Sequence, residues 1–362
     1  MPFRALWRSQ KSMGWENNVR KVVPYTPGEQ PRVKDIVKLN TNENPYPPSP
    51  RVAEALKELS VNDLRLYPDP KAEVLVSAVA RAYGLKESEV FVGVGSDDVL
   101  AMLFMTFFNS EEKVIFPDIT YSFYDVWAEM LRIPYETIPL DEHFKIVPGD
   151  YKRPNGGIVF PNPNAPTGAL LPLSAVEEIV AANPDSVVIV DEAYIDFGGV
   201  SALPLIHKYD NVVIAQTFSK SRSMAGLRVG FAMGNEKLIK YLNDVKYSFN
   251  SYTMNRPALI LGAAEVSDTE HFRENCAKIV RTREESERRF AELGFSFEPS
   301  SSNFVFVTHP RVPAKKIFDY LREKHIFVRW FDKPRISNYL RVTIGTDAEM
   351  DRLFEALKEV IG

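Results

Sequence analysis

One cysteine, Cys276, in 362 residues excludes any intrachain disulfide and fits a reducing compartment. Its place in a charged helical stretch makes it a packing residue rather than a nucleophile. An excess of either charge is also lacking: 44 Lys and Arg against 48 Asp and Glu give a formal charge of −4 and a pI near 5.9. That leaves no basic field for nucleic acid or an anionic membrane as the main partner. The longest apolar run, residues 99–108, is too short for a bilayer, which takes about 20 residues, and reads as a buried helix. Residues 1–15 alternate basic and apolar side chains without a continuous apolar core, so no secretory signal is expected and the expected location is cytoplasmic. There is no internal repeat and no low-complexity segment, and no residue cluster is assigned to a metal.

What is present is a long alternation of apolar runs with helical segments. Strands are expected at 90–94, 114–116, 157–160, 187–190, 212–218 and 228–233. Apolar runs separated by helices argue for a mostly parallel sheet covered by helices on both faces, the α/β class. Ser174 with Glu177, and Thr346 with Glu349, each read as a capping box opening a helix. After residue 268 the pattern changes to a long charged helix (269–293), a strand (304–307), a helix (313–324), strands at 326–329 and 339–344, and a terminal helix. This predicts a smaller α+β unit. At 362 residues two domains are expected: a large one over 46–267, a small one over 268–362, and residues 1–45 as an arm joining the small domain.

The chemistry concentrates between residues 187 and 228. One apolar strand ends in Asp191-Glu192-Ala193-Tyr194 and another in Thr217-Phe218-Ser219-Lys220, with Arg228 eight residues later. A lysine at the end of a buried strand loses hydration, which suits a Schiff-base amine. With it come an acid to face a pyridinium nitrogen, a phenol to meet a ring hydroxyl, and hydroxyls and an arginine to clamp an anion. Pyridoxal phosphate asks for that set. Gly93-Val94-Gly95-Ser96-Asp97 leads a strand into a helix whose first N–H groups can bind phosphate, while Asp97 and Asp98 equally suit the helix dipole. No Gly-Lys-Ser/Thr follows, which excludes a P-loop. Pro117-Asp118-Ile119-Thr120-Tyr121 places an aromatic ring at the same rim, and Asn162-Pro163-Asn164-Ala165-Pro166-Thr167-Gly168 is a proline-stiffened loop. Arg329 and Arg341 end and begin strands of the second unit, and arginine suits bidentate capture of carboxylate or phosphate.

Taken together, Pro-Asn-Ala-Pro-Thr-Gly, Asp-Glu-Ala-Tyr, Ser-Lys and Gly-Leu-Arg resemble the fold-type-I, aspartate-aminotransferase-like family of pyridoxal-phosphate enzymes over nearly the whole chain. Pro24-Tyr25, Leu39-Asn40-Thr41-Asn42-Glu43-Asn44-Pro45, Tyr67-Pro68-Asp69-Pro70 and Leu340-Arg341-Val342-Thr343-Ile344-Gly345 resemble the branch that transaminates histidinol phosphate with 2-oxoglutarate in histidine biosynthesis. The resemblance implies that Lys220 bonds to the cofactor aldehyde, Asp191 pairs with the ring nitrogen, Tyr194 touches the ring hydroxyl and Tyr121 stacks on the ring. It implies a phosphate site from the backbone at Ser96 and Asp97 with Thr217, Ser219 and Arg228, completed by Tyr67 of a second subunit, hence a homodimer. It makes Arg341 the carboxylate anchor, assigns the substrate phosphate to Arg329 and Tyr25, and leaves Asn44 as a further substrate-side residue. One position departs: the family's usual Asn-Pro-Thr-Gly asparagine is Ala165 here, with Asn164 before it, so Tyr194 holds the ring hydroxyl alone or Asn164 reaches it by another path. Broad aromatic aminotransferases and threonine-phosphate decarboxylases share these motifs, and the residues alone do not separate them. A non-catalytic ligand-binding module is disfavoured by the intact Lys220.

Overall fold

The structure, a computed structural model, describes residues 14–362; what was expected of residues 1–13 lies outside the described residues. Seven strands form one sheet in the spatial order Val90–Gly93, Gly230–Gly234, Val212–Thr217, Val188–Asp191, Gly157–Pro161, Val114–Pro117 and Tyr135–Ile138. All neighbouring pairs are parallel except those made by Gly230–Gly234, which is antiparallel on both sides. The central strands are buried along their whole length, as apolar runs between two helical layers must be. Two clusters of buried side chains cover the two faces. One centres on Leu75, Val79, Val176, Ile179 and Phe218, the other on Leu100, Leu103, Phe104, Trp127 and Leu242. The expected buried helix is there as Gly95–Phe107.

Tyr135–Ile138 was not foreseen. It is an edge strand with mostly half-exposed residues, so Tyr-Glu-Thr-Ile carries too little apolar signal to stand out. The capping box expected at Ser174 is a correction. The helix runs Leu173–Ala182 with Pro172 at its cap and no side-chain cap bond, and Glu177 instead bonds Lys208 and Tyr209. Proline's fixed φ sets the turn there, leaving Ser174 inside the first turn. The box at Thr346 and Glu349 is formed, both bonds being present.

A second core packs Phe290, Phe304, Ile317, Leu321, Leu340, Leu353 and Phe354. Its sheet runs Arg329–Trp330, Leu340–Thr343, Phe304–Thr308, Ser296–Phe297, all antiparallel. The long helix Thr269–Glu292 is capped by Asp268. The run 326–329 is not one strand: Ile326–Phe327 pairs in parallel with Val37–Lys38, and Arg329–Trp330 belongs to the four-stranded sheet. The segment after Lys38, residues 39–45, is thereby carried from the second core to the carboxyl rim of the seven-stranded sheet.

Candidate active site

Strands Val188–Asp191 and Val212–Thr217 are hydrogen-bonded neighbours with Asp191 opposite Ala215, so both chains leave the sheet at the same rim. Asp191 is 4% exposed. Its Oδ2 accepts from the Tyr124 hydroxyl at 2.8 Å and its Oδ1 from the Ala193 N–H at 3.2 Å. Burial pushes its pKa up to about 6, against the lowering pull of those two bonds and of the nearby Lys220 charge. Glu192 next to it faces the other way, bonded by Ser201, the Ala202 N–H and Gln216, and burial pushes it up to about 7.

Lys220 is half-buried. Its Nζ donates to the Thr41 carbonyl at 3.2 Å and lies 5.8 Å from the centre of the Tyr194 ring. Asn44 supports it from behind, Nδ2 donating to the Lys220 and Ser221 carbonyls at 3.0 and 3.2 Å. Those bonds make Asn44 a brace on the lysine's backbone.

An anion cradle lies beside these residues. Thr217 Oγ1 donates to Ser219 Oγ at 3.0 Å, Arg228 Nη1 to the same Ser219 oxygen at 3.4 Å, and Arg228 Nη2 to Asp97 at 3.3 Å. Tyr121 donates to the other oxygen of Asp97 at 2.6 Å. Helix Gly95–Phe107 begins here with no side-chain cap, Val94 standing at the cap position, so the first-turn N–H groups at Ser96 and Asp97 point to the site unsatisfied by a cap. The fit is close. A Cβ on Gly230 would lie 2.4 Å from the Gly95 carbonyl carbon and 2.5 Å from the Ser96 nitrogen, and one on Gly95 would lie 2.5 Å from Arg228 Nη2. A cradle of hydroxyls, guanidinium and uncapped helix N–H groups, one neighbour from a lysine and a buried acid, fits a phosphate-bearing pyridine aldehyde.

On the side of the second core, Arg341 pairs in register with Arg329. Arg341 Nη2 donates to the Asn40 carbonyl at 2.9 Å, while its buried Nε has no partner among the described residues. Burial and the neighbouring Arg329 lower its pKa, and the Tyr194, Tyr25 and Tyr121 phenols stand close enough to influence it. Arg329 donates to the Thr26 and Pro27 carbonyls at 3.2 and 3.4 Å, and Tyr25 stacks on Phe123 with ring centres 4.3 Å apart. Two candidates lie differently. Asn164 bridges two loops, Nδ2 donating to the Ile119 carbonyl and to Thr167, while its buried Oδ1 has no partner among the described residues. Tyr67 is 79% exposed, its ring against Tyr252. Two residues escaped the sequence reading. Tyr124 bonds Asp191 from 67 positions away, and Asn42 bonds the Tyr194 hydroxyl from 152 positions away. Asn42 lies within the motif at residues 39–45, but nothing local to either residue signals its distant partner.

A mostly parallel sheet with one reversed strand, carrying a lysine and a buried acid at its carboxyl rim, is the frame of a lysine-centred α/β enzyme. The model of the family "Aminotransferase class I and II" matches residues 34–357. Histidinol-phosphate aminotransferase 2 of Dechloromonas aromatica is 51% identical over 352 residues, covering 96% of this chain and 99% of the relative. The histidinol-phosphate aminotransferase of Clostridium beijerinckii is 50% identical over 347 residues, covering 96% and 97%. Among solved structures, histidinol-phosphate aminotransferase from Sinorhizobium meliloti, in complex with pyridoxal-5'-phosphate, is similar at a TM-score of 0.83 and 26% identity, covering 90% of this chain and 91% of that one. The chain belongs to the class I and II aminotransferase family.

Proposed function

We propose that this protein is a pyridoxal-phosphate-dependent aminotransferase that exchanges amino groups between histidinol phosphate and 2-oxoglutarate, working as a cytoplasmic homodimer. The observation that carries the cofactor reading is the juxtaposition of Lys220, the buried Asp191 and the hydroxyl, guanidinium and helix N–H cradle at one sheet rim. The histidinol-phosphate reading rests on relatives of that name at 50–51% identity over nearly their full length.

When bound, pyridoxal phosphate supplies an aldehyde for the amine and a ring that accepts electrons from the substrate's Cα. The chain supplies the rest. Tyr124 and the Ala193 N–H hold both oxygens of Asp191 in one orientation, in which the carboxylate would pair with the ring nitrogen and favour its protonated form. Lys220, its Nζ held at the rim by the Thr41 carbonyl, would supply the amine that bonds the cofactor aldehyde and, when free, the base that takes a proton from the substrate carbon. Thr217, Ser219, Arg228 and the N–H groups at Ser96 and Asp97 hold the cofactor phosphate. Arg341, with an unpartnered Nε, would anchor the carboxylate of glutamate or 2-oxoglutarate, and Arg329 with Tyr25 would take the phosphate of histidinol phosphate. Tyr67 (79% exposed) packs on Tyr252, and the stretches of chain on either side of that contact carry the bare apolar side chains Val61 (83%), Leu64 (63%) and Phe249 (69%), which supports a subunit interface through which Tyr67 reaches the neighbouring site.

The test is the visible spectrum of the purified protein before and after histidinol phosphate, with borohydride reduction and mass mapping of a separate portion that has not met substrate. The expected result is a visible band that disappears with substrate and a reduced adduct on Lys220. Absence of the band, or an unlabelled Lys220, overturns the reading. Parallel assays with tyrosine and threonine phosphate, scoring amino transfer against carbon dioxide release, decide the substrate.

A further inference from the structure

Asn42 lies fully buried on the segment after strand Val37–Lys38, with φ at +57°, a region asparagine enters more readily than most residues. Every polar group it carries is used. Its N–H donates to Thr343 Oγ1 at 3.1 Å and its carbonyl accepts from Asn303 Nδ2 at 3.0 Å. Its side-chain Oδ1 accepts from Thr343 Oγ1 at 2.9 Å, and its Nδ2 donates to the Tyr194 hydroxyl at 2.9 Å.

The direction of this chain follows from its one unambiguous donor. A backbone N–H can only donate, so Thr343 Oγ1 accepts there, and its single proton goes to Asn42 Oδ1. In this arrangement the amide oxygen faces Thr343 and the amide nitrogen faces Tyr194. A phenol oxygen that accepts an N–H keeps its own proton for another acceptor, and Asn42 is the one hydrogen-bond partner of that hydroxyl among the described residues. Ala165, buried in the same cluster as Tyr194, has no polar side chain to offer from its side.

We infer that Asn42, oriented by Thr343, is a positioning residue that commits the Tyr194 hydroxyl to donating toward an anionic ring oxygen of the cofactor, in place of the side-chain donor that Ala165 lacks. The inference rests on the proposed cofactor. A donor on the ring oxygen competes with the proton which that oxygen shares with the Lys220 nitrogen, and so lowers the pH at which this proton leaves. Weakening the donor raises it.

The experiment titrates the visible band of the cofactor-loaded protein against pH in the unaltered chain, in Asn42→Gly and Thr343→Val, and in each of these combined with Tyr194→Phe. Glycine accepts the positive φ, Thr343→Val keeps the shape, and circular dichroism checks the fold of each. The expected result is an upward shift of about half a unit to one unit in both single variants, roughly a three- to tenfold change in the proton equilibrium, with no further shift in the Tyr194→Phe background. An unchanged midpoint in folded variants, or an equal shift with and without the Tyr194 hydroxyl, overturns the inference while leaving the proposed function standing. An unaltered protein with no visible band removes both.

Discussion

At the scale of the residue, the site is a set of buried polar groups whose cost is tolerated because a ligand completes them. Asp191 shows this most directly. With its folded pKa raised from 3.8 to about 6 by burial, the folded state without cofactor binds more protons than the unfolded chain between those values. Its stability therefore falls as pH rises through that window, by on the order of 2–3 kcal/mol from this one group at 1.36 kcal/mol per unit. Asp191→Asn removes the titration, leaving an amide oxygen for Tyr124 and an amide nitrogen against the Ala193 N–H, a cost that does not change with pH. We expect the stability of the cofactor-free variant, relative to the unaltered protein, to improve from pH 4 to pH 7, while kcat falls by roughly 100-fold or more, the scale of losing one preorganised electrostatic partner, with a smaller change in KM. Thermal melts across pH and steady-state kinetics check both halves, and a variant retaining near-normal turnover refutes the role. Lys220, Asp191 and Arg228 were legible in the sequence because each stands beside its own strand end or turn. Tyr124, Asn42 and the Asp97 link between Tyr121 and Arg228 were not, since each depends on a partner at least 24 positions away.

At the scale of the element, the sequence was readable where burial is uniform and misleading where it is not. Fully buried strands such as Gly157–Pro161 and Val188–Asp191 announce themselves as apolar runs, whereas the edge strand Tyr135–Ile138 and the split at Val328 do not. Ser174 followed by Glu177 has the spacing of a capping box, but Pro172 already fixes the helix start; Thr346 has no such competitor and caps. One element junction carries function. The strand Gly230–Gly234 touches the start of helix Gly95–Phe107 so closely that any Cβ at Gly230 strikes the Gly95 carbonyl carbon and the Ser96 nitrogen. Gly230→Ala must shift that helix start, and with it the N–H groups proposed to hold the cofactor phosphate. The expected outcome is a rise in Kd for pyridoxal phosphate of roughly tenfold, about 1.4 kcal/mol, measured by fluorescence or absorbance titration of the cofactor-free protein. An unchanged Kd in a folded variant would mean that the phosphate is held by side chains alone.

At the scale of the whole molecule, the segment 39–45 ties the two cores to one site. Arg341 and Thr343 from the second sheet reach Asn40 and Asn42, while Lys220 and Tyr194 from the large sheet's rim reach Thr41 and Asn42. The remaining piece is Tyr67, exposed and paired with Tyr252 beside other bare apolar side chains, a surface that a lone globular protein has reason to cover. If a second copy covers it, the Tyr67 hydroxyl of each subunit serves the other's phosphate cradle, and a C2 arrangement makes the exchange mutual. Tyr67→Ala alone should then weaken cofactor binding at both sites. Lys220→Ala alone should leave no lysine to trap. Mixing the two variants after dissociation and reassociation places an intact Tyr67, from the Lys220→Ala subunit, against a site that still has Lys220. Cofactor affinity should return at those sites to that of the unaltered protein, read as recovery of the visible band at low cofactor concentration, with light scattering reporting dimers throughout. No recovery in proven mixed dimers would place Tyr67 at its own subunit's site or at none, because only a contribution across the interface can be restored by a partner that cannot itself react.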